Sequence, residues 1–208
     1  MAQIVYPIQE FVGLNMCAIK IRFRSCGFTL VELMVTIAVA VLIMAVAAPN
    51  FLDLQRSSQL TSTTNTLTAA LNSTRSEAMK FGTFSMLVPR DNTNWNSGWR
   101  VFVDKNLNQA FDAEIDELIL EQPAPPDFLI IEGNGTAAET QPFVLYNGSG
   151  YSRTKAGGFG ALTFTIRRND VSAAQADSQT RRLIISRTGR VRSCRPASDA
   201  TCTANATN

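Results

Sequence analysis

The stretch Gly27-Phe28-Thr29-Leu30-Val31-Glu32-Leu33 opens an apolar run that continues almost unbroken to Ala48. Phe28 to Ala48 are 21 residues, which as a helix rising ~1.5 Å per residue reach across a hydrocarbon core of ~30 Å. Glu32 is the one charge in the run. A carboxylate near the end of such a span is costly in lipid unless it is paired, so it reads as a functional residue. The competing reading is an ordinary secretory signal, with Ala45-Val46-Ala47 as its small-residue cleavage site. The run is longer than the ~7–15 residues of a signal core and carries a charge inside it, which favours a retained helix.

The motif resembles the processing site of type IV prepilins and of the related type II secretion pseudopilins. The resemblance implies that a prepilin peptidase cuts after Gly27 and N-methylates Phe28. It also implies that Glu32 pairs with the N-terminus of a neighbouring subunit during assembly, and it places Pro49 where the family has a helix-kinking proline. The expected fold is α+β: the type IV pilin fold, a long N-terminal helix packed on antiparallel β-sheets. The chain then divides into a leader (1–27), a membrane-spanning helix half (28–54) and a globular domain (55–208). The implied location is the inner membrane, with a single pass and the globular domain facing the periplasm, and after assembly an extracellular pilus. Lys20, Arg22 and Arg24 hold the leader on the cytoplasmic side by the positive-inside rule. The leader is long, and Met16 is an alternative start to Met1.

Cleavage leaves 181 residues (208 minus 27), enough beyond the apolar run for one domain. The whole-chain charge of +2 resides in the leader, leaving 16 basic and 16 acidic residues in the mature chain (19 minus 3 and 17 minus 1). Those charges are segregated. Asp91 to Glu132 holds nine acidic residues against Arg100 and Lys105, and Tyr151 to Arg195 holds ten basic residues against Asp170 and Asp177. Such asymmetry points to an anionic partner for the basic part, or to the two segments facing each other in the fold. The absence of histidine removes Ser-His-Asp, Cys-His and His-ligated metal chemistry. With Cys17 and Cys26 lost in the leader, Cys194 and Cys202 remain in the exported part, where an oxidising compartment favours a disulfide.

After Pro49 the helix is expected to continue to about Lys80, with Leu60, Thr64, Leu67, Leu71 and Ala78 forming one narrow apolar stripe. Strands are predicted over Phe84 to Val88, Trp99 to Val103, Glu117 to Leu120, Phe128 to Ile131, Phe143 to Tyr146, Leu162 to Ile166 and Leu183 to Ile185. Turn or loop composition separates them at Asn92 to Gly98, Pro123 to Pro126, Gly133 to Thr140, Asn147 to Gly150 and Asn169 to Gln179, the last polar enough to be mobile.

Two stretches suggest sites. Asp104, Asn106, Asn108 and Asp112 are spaced like the oxygen ligands of a calcium loop, but Gln109 replaces the turn glycine and Ile115 the bidentate glutamate. The same composition suits a hairpin turn, and no metal or other cofactor is expected. The neighbouring acids Asp112, Glu114, Asp116 and Glu117 fit a solvated turn better than a general acid and base, so no enzymatic activity is assigned.

The second stretch is Arg187-Thr188-Gly189-Arg190-Val191-Arg192-Ser193-Cys194-Arg195. Thr188-Gly189 suggests a turn into a last short strand, and strand alternation would put Arg190 and Arg192 on one face, ~7 Å apart, close to the phosphate repeat of a nucleic-acid strand. Gly189-Arg190-Val191-Arg192 is similar to the Gly-Arg-x-Arg signature of FimT-type minor pilins, which bind DNA in natural transformation. The resemblance implies phosphate contacts by Arg190 and Arg192, support from Arg187, and a turn role for Gly189. Arg195 and the more distant Arg181, Arg182, Arg153 and Lys155 would extend that surface. No pattern of aromatics interleaves with these arginines, so base stacking is not expected, and binding to double-stranded DNA should be phosphate-led and largely indifferent to sequence. The alternative is a GspH-like minor pseudopilin at the tip of a type II secretion pseudopilus, with other pilin subunits as its partners.

Overall fold

The structure, a computed structural model, describes residues 27–205. Met1, Met16, Cys17, Lys20, Arg22, Arg24 and Cys26 lie outside the described residues. The chain divides into two compact units, one up to Ala47 and one from Ala48 onward.

Helix α1 spans Leu30–Phe81. It starts where it does because Thr29 caps it: the Glu32 backbone N–H donates to the Thr29 hydroxyl at 3.2 Å, and the Leu33 N–H donates to the Thr29 carbonyl at 3.1 Å. Glu32, in the first turn, also meets the positive end of the helix dipole. From Phe28 to Met44 the large apolar side chains are all exposed. Among the described residues no helix is long and apolar enough to cross a membrane; the described side chains of the apolar run stop at Ala45.

In the second unit, α1 buries Leu60, Thr64, Leu67, Ala70, Leu71, Thr74 and Ala78, the expected stripe with two further members. The buried threonines fit an apolar face because each hydroxyl bonds back one turn, Thr64 to the Leu60 carbonyl at 2.8 Å and Thr74 to that of Ala70 at 2.7 Å. Gly82, at φ 66°, ends the helix in the left-handed conformation usual after a last turn.

Among the described residues nine strands follow, all paired antiparallel: β1 (Phe84–Pro89), β2 (Trp99–Asp104), β3 (Glu117–Gln122), β4 (Leu129–Gly133), β5 (Val144–Tyr146), β6 (Ser152–Arg153), β7 (Leu162–Arg168), β8 (Thr180–Ile185) and β9 (Val191–Cys194). They form one five-stranded sheet, β3-β2-β1-β5-β6, and one four-stranded sheet, β4-β7-β8-β9. The main core joins the helix stripe to both sheets: Leu87, Val101, Val144 and Tyr146 from the first, and Ile131, Phe164, Ile166, Leu183 and Ile185 from the second.

The first sheet is also covered on its other face, where Met86, Phe102, Phe143 and Leu145 pack with Phe84, Val88 and Phe111. Burial on both faces explains why Met86-Leu87-Val88 in β1 and Val101-Phe102-Val103 in β2 are consecutive apolar residues rather than alternating ones. Asn92 to Gly98, expected to be a plain turn, carries a core residue instead. A short 3-10 helix, Trp95–Ser97, inserts Trp95 against Phe164 edge-on at 4.8 Å, and its indole N–H donates to the Ala137 carbonyl at 2.9 Å. The polar stretch from Asn169 to Gln179 includes another 3-10 turn, Ala173–Gln175.

Candidate functional site

The arginine-rich segment lies on the hairpin that joins β8 to β9. Ser186 and Arg190 close it, with Ser186 N–H donating to the Arg190 carbonyl at 3.0 Å, and Gly189 N–H donates to the Ser186 carbonyl at 2.9 Å. The three-residue loop Arg187-Thr188-Gly189 therefore needs a left-handed residue at its end, and Gly189 supplies it at φ 80°. Glycine is required there for a second reason. A Cβ at this position would sit 2.1 Å from the Gly150 carbonyl oxygen and 3.0 Å from the ring of Tyr146. Tyr146 is buried beneath the turn, and that burial pushes its hydroxyl well above the usual range, against the opposite pull of the Arg75 guanidinium.

Arg75 was not legible as a site residue. From the end of α1, its guanidinium donates to the Gly150 carbonyl at 2.9 Å and to the Thr188 carbonyl at 3.2 Å. It thereby fastens the hairpin turn to the neighbouring turn before β6. Ser152 N–H adds a bond to the Arg187 carbonyl at 3.2 Å. A single arginine near a helix end has no local pattern to distinguish it; only the tertiary position of two unrelated turns gives it this role.

The structure sorts the arginines into two groups. Arg187, Arg190 and Arg195 are exposed and make no side-chain hydrogen bond or ion pair among the described residues. Arg192 is engaged within the chain: it forms an ion pair with Asp199 at 3.2 Å and donates to the Thr201 hydroxyl and carbonyl at 3.1 and 3.3 Å. The Asp199 carboxyl is held below its usual range, first by the Thr201 hydroxyl and backbone N–H and then by Arg192.

Of the residues expected to extend the surface, Arg181 is buried, donating to the carbonyls of Ser178 and Thr180, both at 2.9 Å. Burial, and then the nearby Arg195, push its guanidinium pKa down. Arg182 donates to the Cys202 carbonyl. Arg153 and Lys155 lie over the rings of Phe159 and Phe143 at 4.2 and 4.9 Å. The acidic and basic segments meet through Arg167 and Glu132 at 3.1 Å across β4 and β7, a pair exposed enough to be worth little.

Cys194 and Cys202 form the disulfide. It closes a loop that folds back along β9, where Asp199, Thr201 and Cys202 receive Arg192 and Arg182, and Asn134 donates to the Ala204 carbonyl at 2.7 Å. Removing the bridge with Cys194→Ser/Cys202→Ser is expected to cost roughly 2–3 kcal/mol on the chain-entropy model, measured by urea unfolding. An unchanged unfolding midpoint would mean that Arg182 and Arg192 hold the loop unaided.

At the acidic turn, Asp104 is fully buried and its two carboxylate oxygens accept the backbone N–H groups of Asn108 and Gln109, at 3.2 and 2.9 Å. Asp116 accepts those of Lys105 and Asp112, at 3.0 and 2.8 Å. Leu107 and Gln109 take positive φ, near 60°, which lets the loop curl around these carboxylates. Among the described residues no group of three or more His, Cys, Asp or Glu side chains is arranged to hold a metal ion.

Residues 63–189 match the family of the type II transport protein GspH, and residues 22–48 match the prokaryotic N-terminal methylation motif. No curated protein sequence matches the chain. Among solved structures, the type IV minor pilin FimU of Pseudomonas aeruginosa is similar at a TM-score of 0.53 and 20% identity, covering 68% of this chain and 92% of that one. A second crystal form of FimU gives 0.51 and 19%, covering 67% and 94%. The minor pseudopilin EpsH of the Vibrio cholerae type 2 secretion system gives 0.46 and 12%, covering 66% and 98%. The likeness to FimU identifies the fold as that of a type IV pilin.

Proposed function

The chain belongs to the family of the type II transport protein GspH, and for this member we propose that the β8–β9 hairpin captures extracellular double-stranded DNA for uptake in natural transformation. Family membership makes it a structural, pilin-like subunit that assembles with other such subunits, not an enzyme. The methylation motif makes it a substrate of a prepilin peptidase. Cleavage after Gly27 would leave Phe28 as the methylated N-terminus, one residue ahead of the Thr29 cap. In the proposed pathway the apolar run anchors the subunit in the inner membrane as a single pass until assembly, when Glu32 pairs with a neighbour's N-terminus. The exposure of every large apolar side chain from Phe28 to Met44 supports this, since that surface needs lipid or neighbouring subunits to cover it.

One observation carries the DNA-binding reading. Arg187, Arg190 and Arg195 are exposed and unpaired among the described residues, and neither 140–169 nor 178–198 contains a single Asp or Glu. Phosphates approaching the hairpin thus meet uncompensated positive charge. Arg192 is also engaged within the chain, where Asp199 and Thr201 tie it to the C-terminal loop. The informative variant is therefore Arg187→Ala/Arg190→Ala, because Arg192→Ala also releases the loop.

With three phosphates engaged, the affinity of the full chain in neutral detergent should fall with salt at a log–log slope of roughly −3, and the double variant should reduce the slope to about −1. An affinity independent of salt would sink the mechanism. The second reading, a purely structural pseudopilin, draws on the internal use of Arg167, Arg182 and Arg192. It gains if the folded wild type binds no DNA.

A further inference from the structure

We propose that Tyr151 and Phe159 make a base-stacking platform beside the hairpin arginines, so that the surface grips single-stranded nucleic acid through its bases as well as its phosphates; this rests on the DNA-binding reading above. It departs from the expectation of no base stacking, which rested on the arginine segment alone; the two rings come from a different loop.

The fold brings that loop to the hairpin. Ser152 N–H donates to the Arg187 carbonyl, so Tyr151 and Arg153 flank the point where the chain touches the β8–β9 turn. Ser152 is buried while its two neighbours face outward, as alternation along a strand requires. Beyond Arg153 the chain turns tightly: Thr154 N–H donates to the Gly158 carbonyl at 2.9 Å, and Gly157 N–H to the Thr154 carbonyl at 3.0 Å. The turn returns Phe159 to pair with Arg153.

The result is two exposed aromatic rings, Tyr151 at 40% and Phe159 at 53%, edge to face at 5.6 Å. The Arg153 guanidinium lies 4.2 Å over the Phe159 ring and donates to the Gly157 carbonyl at 3.1 Å, which fixes the ring before any ligand arrives. Exposed, preorganised rings set among cations are what single-strand binders use: every base has a π-face to stack, and the arginines follow the backbone. In a duplex the faces of the bases are covered by their neighbours, so there the platform adds little. The lack of any carboxylate from 140 to 169 and from 178 to 198 suits an anionic over an apolar partner, and the exposed rings favour one with stackable bases over an acidic protein segment.

The test uses the full chain in neutral detergent with three labelled probes of equal length: an oligothymidine strand, the matching duplex, and a strand of abasic sites. Tyr151→Ala/Phe159→Ala should weaken binding to oligothymidine about tenfold or more and change duplex binding less than about twofold. The wild type should bind the abasic strand as weakly as the variant binds oligothymidine. Tyr151→Leu/Phe159→Leu keeps apolar bulk and removes the π-faces; it should reproduce the loss with an unchanged thermal midpoint, excluding collapse of the loop. Retained oligothymidine affinity in both aromatic variants, with loss in Arg187→Ala/Arg190→Ala, overturns the platform and leaves the phosphate-led reading standing. Absence of binding by the folded wild type to all three probes overturns both.

Discussion

Gly189→Ala should be the most damaging single substitution at the hairpin, lowering stability by about 3–5 kcal/mol and the thermal midpoint by about 10 °C. Two independent costs combine. Alanine at φ 80° is strained whatever surrounds it. Its Cβ would also lie 2.1 Å from the Gly150 carbonyl oxygen, 3.0 Å from Tyr146 and 3.1 Å from the Arg75 guanidinium, so the backbone of one turn must move off the other. That movement takes with it both bonds from Arg75 and the one from Ser152, because all three converge on this contact. The measurement is thermal unfolding, with Gly157→Ala as the control. Gly157 also has positive φ, at 85°, but nothing lies within 4 Å of its Cβ position, so only the strain remains. Equal losses in the two variants would show that the close approach to Gly150 contributes nothing.

Arg168→Met should cost about 2–3 kcal/mol. The Arg168 side chain is only 3% exposed and sits between two carboxylates, Asp53 on α1 at 2.7 Å and Asp170 at 2.8 Å. Arg56, one turn along α1 from Asp53, reaches the other oxygen of Asp170 at 2.6 Å. The network therefore ties α1 to the end of β7. Methionine keeps the volume but strands two carboxylates, which can rehydrate, so the loss falls at the low end for a buried pair.

Its pH dependence has a definite sign. Arg168 holds the Asp170 carboxyl below its usual 3.8, with a smaller contribution from Arg56. A carboxyl whose pKa is lower folded than unfolded contributes its full stabilisation above about pH 5 and loses it as the pH falls through the folded value. The deficit of Arg168→Met should accordingly be larger at about pH 7 than at about pH 2.5. Urea unfolding at the two values checks this; a deficit that does not shrink in acid would remove the ion pair as its cause.

Elements governed by local pattern were legible in the sequence, and those governed by meetings between distant segments were not. The stripe from Leu60 to Ala78 could be read because helical periodicity is a local property, and all five of its named residues are buried. The seven predicted strands and the last one after Gly189 correspond to β1–β5 and β7–β9, since β-branched and aromatic runs between turn residues are also local. The disulfide followed from compartment and count. By contrast, Trp95 in a polar, Asn-rich turn gave no sign of entering the core, because the indole acceptor, the Ala137 carbonyl, lies far along the chain. β6 is only two residues long and too short to leave a pattern. At the site, Gly189 lies in the turn at positive φ, and Arg187, Arg190 and Arg195 are exposed. Arg192 was read from strand alternation and from the Gly-Arg-x-Arg resemblance, neither of which says anything about a C-terminal loop returning to pair with it. The contacts of Arg75 and the pairing of Tyr151 with Phe159 were missed for the same reason.

The two hydrogen bonds from Arg75 have a mechanical consequence. Arg75 belongs to the last turns of α1, and its guanidinium holds the carbonyls of Gly150 and Thr188 on the two turns that abut at Gly189. A pull along this part of the helix reaches the arginine hairpin directly, without first shearing the strands of either sheet. Load applied at the hairpin would travel the same short route back into the last turns of α1, so those turns and the two loops bear tension as one piece.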